Sequence, residues 1–142
     1  MSNPIVTYEG YSGLMGGCVR SFASGANSSR IRLFQNNIYP TKNNVWSDFQ
    51  ECDFAGYVAI PVPAANDQGL TPLFIDIWRF AKVNFVMSAL PTQICYGWWV
   101  DWVNPLSSLR QSLWCQRFDS PFLFSAPGTT LPITLTPGFS QA

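Results

Sequence analysis

Four cysteines, one cluster of acids and a run of tryptophans are the side chains of this 142-residue chain with chemistry to offer. Cys18, Cys52, Cys95 and Cys115 stand 34, 43 and 20 residues apart. Zinc and iron–sulfur sites usually grow from a Cys-x-x-Cys pair, which brings two thiolates to one metal. No such pair exists here, so the thiols read as small hydrophobes of a core. Cys95 and Cys115, in neighbouring expected strands, have a disulfide geometrically open to them, which a reducing compartment would leave unformed. Asp48, Glu51 and Asp53 form the acidic cluster. Glycoside hydrolysis needs two carboxylates across a sugar, and closeness in sequence does not provide that. A helical turn would place Asp48 and Glu51 on one solvated face, open to a subunit or a weakly held divalent ion. In a strand, Tyr96, Trp98 and Val100 face one way, Trp99 and Asp101 the other. The first face fills the core. The second offers Trp99 and Asp101 as an anchor for a neighbouring subunit, or an aromatic platform for a sugar ring.

What is missing excludes more. The chain has no His, so Ser–His–Asp and Cys–His hydrolysis and His-based zinc chemistry are ruled out. Lys and Arg total 8, as do Asp and Glu, and the net charge is zero. A neutral chain does not neutralise a phosphate backbone, so no nucleic acid partner is expected. Charged residues are 11% of the sequence, far below the roughly 25% of ordinary soluble domains. A surface so sparsely charged is poorly suited to a dispersed monomer and suits one covered by neighbours. No apolar run reaches the roughly 20 residues of a membrane helix, and no signal-peptide pattern follows Met1. The expectation is a non-enzymatic chain without cofactor or metal, away from membranes.

The elements that position these residues are short. Residues 30–35 alternate and end at Asn36-Asn37, a strand closed by a turn. Residues 45–52 fit one helical turn, with Trp46 and Phe49 on one side and Asn44 as N-cap. Residues 56–60 read as a strand stopped at Pro61 and Pro63, and residues 73–87 as two strands or one bent one. Residues 94–102, 112–118 and 131–136 follow as strands, with Pro105, Pro121, Pro127 and Pro137 as punctuation. Seven or eight short strands without a long amphipathic helix predict an all-β, single-domain β-sandwich, for which a jelly roll is one arrangement. Arg30 and Arg32 share a strand face, and Arg79 and Arg117 sit among apolar residues. Asp76, Asp101 and Asp119 are their candidate partners. Residues 1–29 are rich in Gly and Ser, yet carry Tyr8, Tyr11, Leu14 and Phe22. They read as an extended N-terminal arm, ordered only where a neighbour covers those side chains, ahead of a domain at 30–142.

The segment Leu33-Phe34-Gln35-Asn36-Asn37, continuing through Pro40-Thr41, Asp48-Phe49, Glu51, Phe54 and Gly56-Tyr57, resembles small β-rich proteins of tailed bacteriophages. Their pattern runs LFxNNxxPT…DFxExxFxGY. Tyr96-Gly97-Trp98-Trp99-Val100-Asp101 is similar to that group's YGYFVVD strand, Trp114-Cys115-Gln116-Arg117-Phe118 to its WAERF strand, and residues 131–139 to its ending. The chain departs from the group in its 29 leading residues and in Gln116 at an acidic position. The resemblance implies a virion structural protein assembled in the host cytoplasm, of the capsid decoration or cement type. It would act as a homo-oligomer, a trimer by analogy, against the major capsid protein or other virion proteins. The alternative is a tail fibre or tail adaptor that binds host-surface glycan. The resemblance supplies no catalytic residues.

Overall fold

The computed structural model describes residues 4–9, 29–61, 82–103 and 108–134. The protein is all-β and antiparallel throughout these residues, as expected. The strands are β1 (Ile5–Val6), β2 (Ser29–Phe34), β3 (Ile60–Pro61), β4 (Lys82–Val86), β5 (Gln93–Val103), β6 (Arg110–Phe124) and β7 (Thr130–Thr134). Five of them form one sheet in the order β1-β6-β5-β2-β3, and β4 pairs with β7 in a second.

The two sheets enclose one hydrophobic core. The small sheet shows strict alternation: Val83 and Phe85 of β4 lie opposite Ile133 and Leu131 of β7, and all four are buried while their neighbours are exposed. Pro132 is tolerated inside β7 because a two-stranded sheet leaves each strand a free edge. This face packs with Ile31, Leu33, Trp98, Val100, Trp102 and Trp114 of the large sheet in a sandwich-like arrangement. Burying each such side chain contributes roughly 1.5–3 kcal/mol.

The central strand β5 is covered on both faces, and its burial pattern is almost continuous. A register shift between Cys95 and Gly97 explains a departure from the expected alternation. Cys95 lies opposite Phe122, but Gly97 lies opposite Arg117. The irregularity changes the parity of the strand. Cys95 therefore shares the main core with Trp98, Val100 and Trp102, while Tyr96 packs with Trp99 on the other face. The expectation that Tyr96 and Trp98 face the same way is corrected. The same irregularity carries β6 through Pro121, which was expected to end it. Residues 118–121 have no ladder partner on β5, so no hydrogen bond is lost to the proline.

Two other boundaries differ. Of residues 56–60, only Ile60 enters a strand, with Pro61, on the sheet's edge. Gly56 adopts φ 88°, a left-handed conformation suited to glycine. Leu73 and its neighbours up to residue 81 lie outside the described residues. Of the N-terminal segment, residues 4–9 are described, and they lie against the chain's own β6. Ile5 and Val6 pair with Cys115 and Trp114 of the chain's own β6. The buried Thr7 hydroxyl donates to the Ser112 carbonyl at 2.5 Å, and the Ser112 N–H donates to Glu9 Oε2 at 2.9 Å.

Candidate functional site

The polar residues singled out from sequence converge on the segment 35–57 and on the outer face of β2, β5 and β6. After β2 the chain turns back over that face. Asn36 holds the turn from both ends of its amide, donating to the Asp48 carbonyl at 2.8 Å and accepting from the Gln50 N–H at 2.9 Å. A short 3-10 turn, Trp46–Asp48, follows. Its cap is Val45 rather than Asn44. The Asp48 carboxylate accepts the Val45 N–H at 2.9 Å, and the Asn44 amide donates to that carboxylate at 2.9 Å. Phe49 is buried and stacks on Trp99 with ring centroids 5.1 Å apart, while the partly exposed Trp46 meets the Arg110 guanidinium 4.5 Å from its ring centroid. Phe34, Phe49, Trp99 and Cys115 thereby make a second small core.

This second core corrects the reading of the outer face. Trp99 and Asp101 do lie on the face opposite Trp98, but each is only 1% exposed. Trp98 and Trp102 are buried too, so the tryptophan run is not a sugar platform. Neither Trp99 nor Asp101 is available as an anchor. Among the other candidates Tyr8 is 65% exposed, and Tyr11, Leu14 and Phe22 lie outside the described residues.

Asp101 is the hub of an ion network. Its Oδ2 accepts from Arg32 Nε of β2 at 2.8 Å and from Arg110 Nε of β6 at 2.5 Å. The Arg32 guanidinium also reaches Glu51, with Nη1 at 2.7 and 2.9 Å from the two carboxylate oxygens. Glu51 Oε1 in turn accepts from the Tyr57 hydroxyl at 2.8 Å, which itself accepts the Leu33 N–H at 3.1 Å. Burial, aided by the Glu51 carboxylate, pushes the Tyr57 phenol well above its ordinary range. Burial opposes the Arg32 charge, but Asp101 and Glu51 outweigh it and raise its pKa. The sequence pointed to Asp101 as an arginine partner; Glu51 was missed because a helical reading turned it to solvent. The signal was the alternation Glu51, Asp53 against Cys52, Phe54, which is that of an extended segment. Indeed Glu51 bridges Phe34, and Cys52 and Phe54 are buried.

The remaining polar residues have similar duties. Asp53 accepts from the Gln93 amide at 2.5 Å. Arg117 donates to the Ile38 carbonyl and to Asn37 Oδ1, each at 2.6 Å, and lies over the rings of Tyr39 and Tyr96. The three acids thus cap a turn, pair an arginine and hold a glutamine. Among the described residues no three Cys, Asp or Glu side chains are grouped to hold a metal. Cys95 and Cys115 lie on opposite faces of β5 and β6 and are not neighbours; Cys95 instead meets Cys52, with sulfurs 2.8 Å apart.

What is left for recognition is surface. Tyr39 is 77% exposed, and Val58, Leu90 and Leu109 are more than half exposed. Ile94 and Leu123 face each other across the β5–β6 ladder at 45% and 50% exposure. Comparison with known proteins adds no relative: no protein family, curated protein or solved structure matches the chain.

Proposed function

We propose that this protein is a non-enzymatic structural subunit of a virus particle, most simply a capsid decoration or cement protein. It would act as a homo-oligomer against the major capsid protein or another virion protein, after assembly in the host cytoplasm. The observation that supports this reading is the pairing of exposed apolar side chains with an inert, cross-tied interior. Ile94 and Leu123 on the β5–β6 ladder, and Leu90, Val58 and Tyr39 on the connecting segments, are exposed on a chain of zero net charge, where little repulsion keeps copies or partners apart. Contacts repeated over a lattice are individually weak and collectively firm. The residues that resemble the phage pattern fit the same view. Asn36, Asn37, Asp48, Phe49, Glu51, Gly56 and Tyr57 are all occupied in folding one segment onto the sheet. The glycan-binding alternative loses its motive with the burial of Trp98, Trp99 and Trp102.

The test is to produce the chain together with its genomic neighbours and to purify particles. The chain is expected in them at a fixed copy number, with density on the shell in a reconstruction. A chain that stays monomeric and never accompanies particles refutes the reading.

A further inference from the structure

We propose that Cys52 and Cys95 are a dithiol–disulfide couple, closed by a small-molecule disulfide of the glutathione type into a covalent tie between the segment after β2 and the central strand. This goes beyond the virion reading and does not depend on it. The two sulfurs lie 2.8 Å apart, both residues are buried, and 43 positions separate them in sequence. Their approach is imposed by the backbone on either side. The Cys52 N–H donates to the Leu33 carbonyl at 2.9 Å. Asp53 and Phe54 N–H groups both donate to Gln93 Oε1, at 3.0 and 3.1 Å, two residues before Cys95. The Gln93 amide returns to Asp53 and to Gln35. A disulfide needs an S–S bond of about 2.05 Å, so the sulfurs have less than about 1 Å to close. The spacing suits this bond and not a shared metal: two thiolates on tetrahedral zinc, each at about 2.3 Å, stand about 3.8 Å apart. The described residues add no third or fourth ligand. Cys115 is on the other face of the sheet, which leaves it out of the exchange.

The chemistry balances with the disulfide as oxidant. One cysteine, as thiolate, attacks a sulfur of oxidised glutathione and releases one glutathione thiolate. The second cysteine, once deprotonated, attacks the mixed disulfide and releases the other. Two cysteine sulfurs are oxidised, two glutathione sulfurs are reduced, and the two thiol protons end on the released glutathiones. The Cys95 contact and burial keep the Cys52 thiol protonated, so exchange on the folded chain is slow and is fastest during folding or opening of the segment.

The experiment uses the full chain refolded in buffers of oxidised and reduced glutathione. Samples are quenched in acid, denatured, alkylated and weighed. The expected result is loss of two of the four alkylatable thiols in the oxidising buffer, with peptide mapping joining Cys52 to Cys95. The oxidised protein should also melt on the order of 10 °C higher than the reduced one. Cys52→Ala should abolish both effects. Four alkylatable thiols under excess oxidised glutathione, a bond joining any other pair, or a lasting glutathione adduct at either position overturns the proposal. So does an unchanged or lowered melting point in the bonded form. Should Cys52→Ala fail to fold, the mapping of the unaltered chain decides alone.

Discussion

Replacing Gly97 by Ala tests how tightly the second core is built, because two simple arguments give opposite signs. Alanine suits a strand interior better than glycine by about 0.5–1 kcal/mol, which would stabilise the protein. The added methyl, however, would meet the Gln116 carbonyl oxygen of the paired strand and lie 2.5 and 2.6 Å from two atoms of the Phe34 ring. Carbon atoms in ordinary contact are about 3.5–4.0 Å apart, so the ring must retreat by about 1 Å. It has nowhere to go freely. Phe34 is fully buried, its ring centroid is 5.2 Å from that of Phe49, and Phe49 is stacked on Trp99. The Gln116 carbonyl belongs to the β5–β6 ladder and cannot yield without loosening it. Overpacking of this kind costs about 1–3 kcal/mol, and the upper end applies where both backbone and ring resist. After the propensity gain, the expected net loss is about 2 kcal/mol. With a urea dependence of about 1–3 kcal/mol per molar, the unfolding midpoint should fall by about 1 M. Urea titration followed by tryptophan fluorescence measures it. A midpoint equal to or above that of the unaltered protein would refute the packing argument.

Three further outcomes are expected. Asp101→Asn leaves two guanidinium groups without their buried counter-ion and should cost about 3 kcal/mol, read from thermal unfolding; a loss below about 1 kcal/mol would show that the network is ornamental. Thr7→Val removes the buried bond to the Ser112 carbonyl and should cost about 1–2 kcal/mol by the same measurement, and no change would deny β1 a part in stability. Burial pushes the Cys115 thiol up to about 12 from its ordinary 9.0. The unfolded chain therefore loses this proton first. The contribution is intact below about pH 9 and disappears as pH rises toward 12, at a slope approaching 1.4 kcal/mol per unit. Cys115→Ala should make the alkaline decline shallower; an unchanged slope would contradict the assignment.

The strands that could be recognised from sequence were those with one wet face or a clear punctuation. Residues 30–35 and 131–136 carry the period of two, and the structure has β2 and β7 there. The all-β class followed from many such runs. Asp101 was legible as an arginine partner, because an isolated acid in an apolar strand must be compensated. Three things were not legible. The phase of β5 depends on a register shift that no residue type announces, although Gly97 marks the place. The burial of Trp99 depends on a loop some fifty residues earlier folding back to place Phe49 on it, a non-local event that alternation does not encode. Pro121 looked like a strand end because the unpaired stretch that excuses it, residues 118–121, shows only when β6 is laid against β5.

The pairing of β1 has a consequence for the chain as it is synthesised. Ile5 leaves the ribosome 110 residues ahead of its partner Cys115. At about 5–20 residues per second, β1 waits roughly 5–20 s for the strand it must join. β2 meets β3 early but waits for β5, and β5 for β6. The order of translation thus leaves β1 and one edge of β2 uncovered until β6 and β5 have emerged. Slowing translation between residues 61 and 110 would lengthen that exposure, whereas relocating residues 4–9 behind β6 would end it for β1 alone.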